Sequence, residues 1–284
     1  MTSTHPLEHL RRDEPTRRGA GLSGREVRRL VDLVVTAERE GRQVTALSQM
    51  VPGLGPDDAR VIRDELLRRR TAAGERAVAI VSVADGEPAF ASTTAVVDGT
   101  TRVSAAPELL VQPVAGVHLD GAALRELLHG SGAPAFAPGS ARVGLATFRS
   151  PFRREESALE DLLAANGGLC GVAVAARPGV DAADFALRSG GRLLVSGRAP
   201  HASDSWAAAL ETVVAALERC APLRELGAGL RDAEAPFPGL VFATALGEAI
   251  ALDAGDAVDL ELAGRHCATV SATSDRHILM GDPE

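Results

Sequence analysis

The amino-acid sequence predicts an α+β protein, with a helical N-terminal arm followed by a β-rich body of mixed or antiparallel sheets. Two observations predict it. Apolar residues recur at helical spacing as far as about residue 72, and from Gly74 onward the period shortens to runs of valine and alanine punctuated by Gly, Pro and Asp. A third observation is size: 284 residues with 45% hydrophobic content can bury a large core. The expected organisation is a disordered tail over 1–22, the arm over 23–73, the body over 74–276 and a short C-terminal tail over 277–284.

The tail is polar and rich in Arg and Pro, a composition that buries too little surface to order itself. Gly19, Gly21 and Gly24 match a GxGxxG pattern, but no strand precedes them to aim a phosphate at a helix end. Ser23 and Glu26 instead form an S-x-x-E capping box, and Val27, Leu30, Val31 and Val34 follow on one face, so a first helix is expected from about 24 to 40, stopped by Gly41. Pro56 suits the first turn of a second helix, with Asp57 and Asp58 at its positive dipole end and Ala59, Ile62, Leu66 and Leu67 along its apolar face to about 72.

In the body, strands are expected over 77–84, 94–97, 110–119, 141–148, 170–176, 184–188, 192–197, 239–245, 257–262 and 267–272. Short helices are expected over 121–129 and 155–165, and a longer one over 203–220 with Trp206, Leu210, Val213, Val214 and Leu217 on one face. His201, Asp204 and Ser205 lie at its start, where capping explains the Asp and Ser more simply than a catalytic triad does.

Composition excludes several functions. A net charge of −8 argues against broad contact with nucleic acid. No apolar run approaches the roughly 20 residues that span a bilayer, and no secretory signal opens the chain, so no membrane association is expected and the expected location is cytoplasmic. The chain has no lysine and no tyrosine, which removes Schiff-base chemistry and two kinds of general base. Cys170, Cys220 and Cys267 are widely spaced without a CxxC and read as free thiols.

Four stretches in order resemble the hydratase/decarboxylase branch of the fumarylacetoacetate hydrolase superfamily. PDDARVIRDELLRRRTAAGERAVA (56–79) resembles the branch's D-A-Y-x-I-Q helix and G-x-R-x-x-G turn, and PELLVQPVAGVHL (107–119) sits where the branch has its R-V-E-x-E-I-A-F-V-L strand. EDLLAANGGLCGVAV (160–174) resembles the D-x-I-A-D-N segment and the strand after it, and GLVFATALGEAIALDAGDAVDLELAGRHCATVSA (239–272) resembles the closing pattern of G-D, V-P-V and G-x-x-S-V-x-F turns. The resemblance implies a β-rich body whose mouth holds a divalent metal on three carboxylates, with the metal chelating a 2-oxo acid or its enol.

On this register the implied ligands are missing. The E-x-E glutamates fall on Gln112 and Val114, the third carboxylate on Gly144 or Val143, the aspartate on Thr147 and the lysine on Val81. No metal and no other cofactor is therefore expected. The resemblance places Arg149 on a family arginine and Asn166 on a family asparagine. The candidate catalytic residues are His118, as a general acid or base without a metal, and Asn166, the only asparagine, as an orienting group. Gln112, Thr147 and Arg149 are candidate substrate contacts, Arg149 through a bidentate pair with a carboxylate. A surface histidine, a turn-capping asparagine and a solvated charge cluster are the plainer alternatives for His118, Asn166 and Arg149.

Three functions remain open: a metal-independent lyase, isomerase or cyclase acting on an enolisable or polyene-like small molecule in secondary metabolism; a non-catalytic homologue that partners a catalytic paralogue; and a metal-dependent 2-oxopent-4-enoate hydratase whose ligands lie in another register. The resemblance implies a homo-oligomer.

Overall fold

A computed structural model of the chain describes residues 21–83, 86–92, 96–105, 108–119, 139–153, 156–175, 182–221 and 239–274, together with positions 123, 126, 135 and 136. The expected tail as far as residue 20, most of the short helix expected over 121–129 and the C-terminal tail lie outside the described residues. The class is α+β, as the two periodicities predict.

The arm is three helices: α1 (Gly24–Glu40), α2 (Leu47–Met50) and α3 (Pro56–Ala72). The Ser23–Glu26 capping box forms, with each partner's side chain answering the other's backbone N–H, and Gly41 takes the left-handed conformation that ends α1. Pro56 opens α3, as expected. The α2 turn falls in a stretch that reads as irregular. Its anchor is distant in sequence: Asp161 accepts from the Ser48 N–H at 2.8 Å and the Ser48 hydroxyl at 2.6 Å.

The body contains strands β1 (Ala77–Ser82), β2 (Pro88–Ser92), β3 (Val96–Asp98), β4 (Thr100–Ser104), β5 (Leu109–His118), β6 (Ala141–Phe148), β7 (Leu169–Val174), β8 (Asp184–Ser189), β9 (Arg192–Arg198), β10 (Leu240–Ala245), β11 (Ile250–Leu252), β12 (Ala257–Leu262) and β13 (Arg265–Thr273). Helix α4 (Leu159–Ala164) and a 3-10 turn (Asn166–Gly168) precede β7, and helix α5 (Ala202–Arg219) lies between β9 and β10. The N-cap of α5 is His201, with no side-chain cap bond. Asp204 and Ser205 sit inside its first turn, which corrects the capping role expected for them.

One sheet runs β2-β1-β10-β5-β6-β7-β3 with β11 beside β5, and the other runs β4-β13-β12-β8-β9. Neighbours are mostly antiparallel, with parallel pairs at β1/β10, β3/β7 and β13/β4. The first sheet curls until it is nearly closed, which gives it an inner and an outer face. Half of the outer face packs Ile80, Val117 and Val241 against Trp206, Ala209 and Val213 of α5. The other half packs Val111, Val143 and Leu145 against Leu187, Leu260 and Val270 of the second sheet. The arm packs Val31, Val34 and Ile62 onto Phe152, Leu163 and Ala164.

An ionic network ties α3 to the body. Glu87, between β1 and β2, receives Arg60 at 2.6 Å and Arg63 at 3.3 Å from α3, and Arg219 at 3.3 Å from the end of α5. Arg63 is almost wholly buried and also donates to the Arg219 carbonyl at 2.6 Å. Burying that many charges is tolerable because each meets an opposite charge or a carbonyl.

Candidate functional site

Strand periodicity puts alternate residues of β5 on opposite faces. Leu109 and Val111 belong to the core between the sheets, whereas Leu110 and Val114 pack on the inner face. Gln112, Gly116 and His118 share the inner face by the same alternation. The β5/β6 register pairs Gln112 with Ala146, Val114 with Gly144 and Gly116 with Arg142, so those β6 residues face inward too. Val143 points the other way, into the core between the sheets. Of the two positions left open by the resemblance, Gly144 is therefore the one beside Val114.

The inner face is apolar. Val81, Val114, Ala146, Val172, Phe148 and Phe242 form one buried cluster there. Gly144 has no room for a side chain, because a Cβ would stand 2.7 Å from the Ala173 carbonyl oxygen and 3.5 Å from the Phe242 ring. Gln112 is the polar exception and is 1% exposed. Its Nε2 donates to the Gly247 carbonyl at 3.0 Å, the one side-chain hydrogen bond it makes among the described residues.

The other candidate residues lie elsewhere. His118 ends β5 and is exposed; its N–H donates to the Ser140 carbonyl at 2.8 Å. It shares Gln112's face but stands six residues along the strand, roughly 20 Å away. Thr147 is opposite Val111 and so faces the core between the sheets, where its hydroxyl donates to the Gly171 carbonyl at 3.1 Å. Arg149 lies just past β6, and its positive charge acts on the Cys170 thiol, which donates to the Gly168 carbonyl at 3.5 Å. Burial pushes that thiol up to about 11, with Glu38 adding to the shift and Arg149 and Arg70 opposing it.

Asn166 is fully buried at φ 55°. Its Oδ1 accepts from the Phe90 N–H and its Nδ2 donates to the Phe90 carbonyl, each at 2.9 Å. One side-chain amide thus stands in for a strand's backbone and joins β2, at one edge of the first sheet, to the turn before β7. The structure brings Gln112, Val114, Gly144 and Val81 together and sets His118 apart from them, while Arg149 lies two residues from Thr147 and beside the Asn166–Gly168 turn, its N–H donating to the Gly168 carbonyl at 2.6 Å.

Two residues that sequence reasoning passed over accompany His118. Arg142 and Ser140 are on the same inner face at the same end of the sheet. Counting by twos from Gly144 finds both.

The chain superposes on 4-oxalocrotonate decarboxylase from Pseudomonas putida G7, complexed with magnesium and adipate, with a TM-score of 0.67 at 13% identity, covering 89% of this chain and 100% of that one. The same enzyme complexed with calcium and acetate gives a TM-score of 0.64 at 12% identity, with the same coverage. The chain therefore has that enzyme's fold. No family model matches the sequence, and no curated protein does.

The divalent metal expected of the fold does not fit the residues present. A hard cation takes charged oxygen ligands, and the implied positions offer one neutral amide oxygen beside two valines and a glycine with no space for a longer side chain. Among the described residues, no group of three or more His, Cys, Asp or Glu is placed to hold a metal.

Proposed function

We infer that this chain is a divergent member of the fumarylacetoacetate hydrolase superfamily, on its hydratase/decarboxylase branch, in which an apolar binding face has replaced the metal site. It works as a metal-independent lyase, isomerase or cyclase on an enolisable or polyene-like small molecule, in a biosynthetic rather than a degradative setting. The observation that carries this reading is the inner face itself. Gln112 shares that face with Val114 and Ala146, its Nε2 given to the Gly247 carbonyl and its Oε1 left over, a single amide beside an apolar cluster that suits a hydrocarbon body. An enol O–H or a hydroxyl of the substrate meets that oxygen, and the low polarity around it strengthens the contact. His118, at the end of β5, takes up or returns a proton. Asn166 and Thr147, whose polar groups are committed to backbone, hold the walls.

The test is metal titration with a binding assay. Neither magnesium nor manganese gives binding heat, and decanol, as a neutral apolar probe, binds and loses affinity in Gln112→Leu. Magnesium-dependent turnover of 2-hydroxypenta-2,4-dienoate would sink the reading.

The commitment of Asn166 and Thr147 to backbone carbonyls and amides also favours a second reading, in which the chain stabilises a catalytic paralogue without catalysis of its own. Co-elution with an intact paralogue, together with no decanol binding, distinguishes it.

A further inference from the structure

We propose that Arg142 and Ser140, beside His118 at the end of the inner face, form a seat for a carboxylate of the ligand. The proposal rests on the reading of the inner face as a small-molecule site and adds the class of molecule: an acid with an apolar body.

Arg142 is a cation with no acidic partner among the described residues. Its Nη1 donates to the Gly139 carbonyl at 2.9 Å and the Ala141 carbonyl at 2.8 Å, and these are its hydrogen bonds. Both Nη1 protons are thereby spent in fixing the guanidinium, while the edge formed by Nε and Nη2 is uncommitted. That edge carries two parallel N–H groups, the geometry that a planar carboxylate accepts in a bidentate pair. Burial alone pulls the Arg142 pKa down, with no carboxylate acting to raise it.

Ser140 supplies the independent observation. It is 7% exposed, and its hydroxyl oxygen is buried without a hydrogen-bond partner. The β5/β6 ladder extends through the bond from His118 N–H to the Ser140 carbonyl, which keeps Ser140, Arg142 and His118 on one face. In this seat the unmet hydroxyl and the uncommitted guanidinium edge, two residues apart on one face, serve one oxyanion. His118 then stands next to the bound acid, where a proton adjacent to the carboxylate is the one it reaches.

The experiment compares decanoate with decanol by calorimetry on the full chain. Decanoate binds about tenfold tighter than decanol, as a charge-assisted pair requires. Arg142→Gln brings decanoate down to the level of decanol and leaves decanol unchanged, which also shows that the variant is folded, and Ser140→Ala lowers decanoate affinity severalfold. Equal binding of the two probes to the native chain, or a preference for decanoate that survives Arg142→Gln, overturns the seat while leaving the apolar site standing. If neither probe binds, the apolar site and the seat fall together.

Discussion

Cys170 offers a titration that few proteins allow. Its thiol stays protonated in the folded chain up to about 11, against an ordinary value of 9.0, because burial penalises the thiolate. The unfolded chain releases its proton first, so the stability this group contributes is intact below pH 9 and is lost as pH rises through about 11. The chain has no lysine and no tyrosine, so cysteines are the side chains that ionise across that interval. Denaturant midpoints measured from pH 8 to 11 should fall with rising pH, and Cys170→Ala should flatten the fall. An unchanged slope in that variant would contradict the assignment. Gln112, Val114 and Val81 were legible as one group because their motif positions survive in sequence order, with the fourth member left between Gly144 and Val143 until the β5/β6 register chose Gly144. Thr147 was not, because the face it occupies depends on the β5/β6 register, and a slip of one residue exchanges the faces. Arg142 and Ser140 escaped because attention to positions the family uses passes over positions it does not.

Helix α3 is held to the body by charge as well as by apolar contact. Glu87 is 3% exposed and meets three arginines, one of them, Arg63, 1% exposed. Glu87→Ala leaves the buried Arg63 with Asp64, at 3.4 Å, as its remaining carboxylate, and a loss of about 1–3 kcal/mol of stability is expected by denaturant unfolding. Glu87→Gln, which keeps the packing and some hydrogen bonds, should lose less. Helices α1, α3 and α5 were read within a residue or two of their ends, since caps, proline and periodicity agree there. Strands β2, β4 and β11 were not read. β2 opens on a proline, and three of its five residues are alanine or serine, a composition that reads as loop and is tolerated at a sheet edge. β11 has only three residues and takes its place from pairing with β5.

The arm and the body share their interior. Phe152, Leu163 and Ala164 of the body are buried by Val31, Val34 and Ile62 of the arm, and Val44 N–H donates to the Pro151 carbonyl at 2.8 Å. A chain beginning at Gly74 would expose that apolar surface and strip Glu87 of Arg60 and Arg63, so it should be insoluble or bind a hydrophobic dye strongly. A soluble, cooperatively unfolding 74–284 fragment would contradict this account. No helix among the described residues is long and apolar enough to cross a membrane. The succession of arm and strands was legible from the change in period at Gly74, but the curling of one sheet was not, because it depends on contacts between segments far apart in sequence.

The curled sheet meets itself at Asn166 and Phe90, 76 residues apart. Closing so long a loop is slow and entropically costly, and here a single amide side chain completes the seam. The Phe90 N–H is guarded by that side chain rather than by a neighbouring strand, so it exchanges its proton with solvent each time the seam parts. Its exchange rate is a clock for how often the inner face is laid open to whatever enters it.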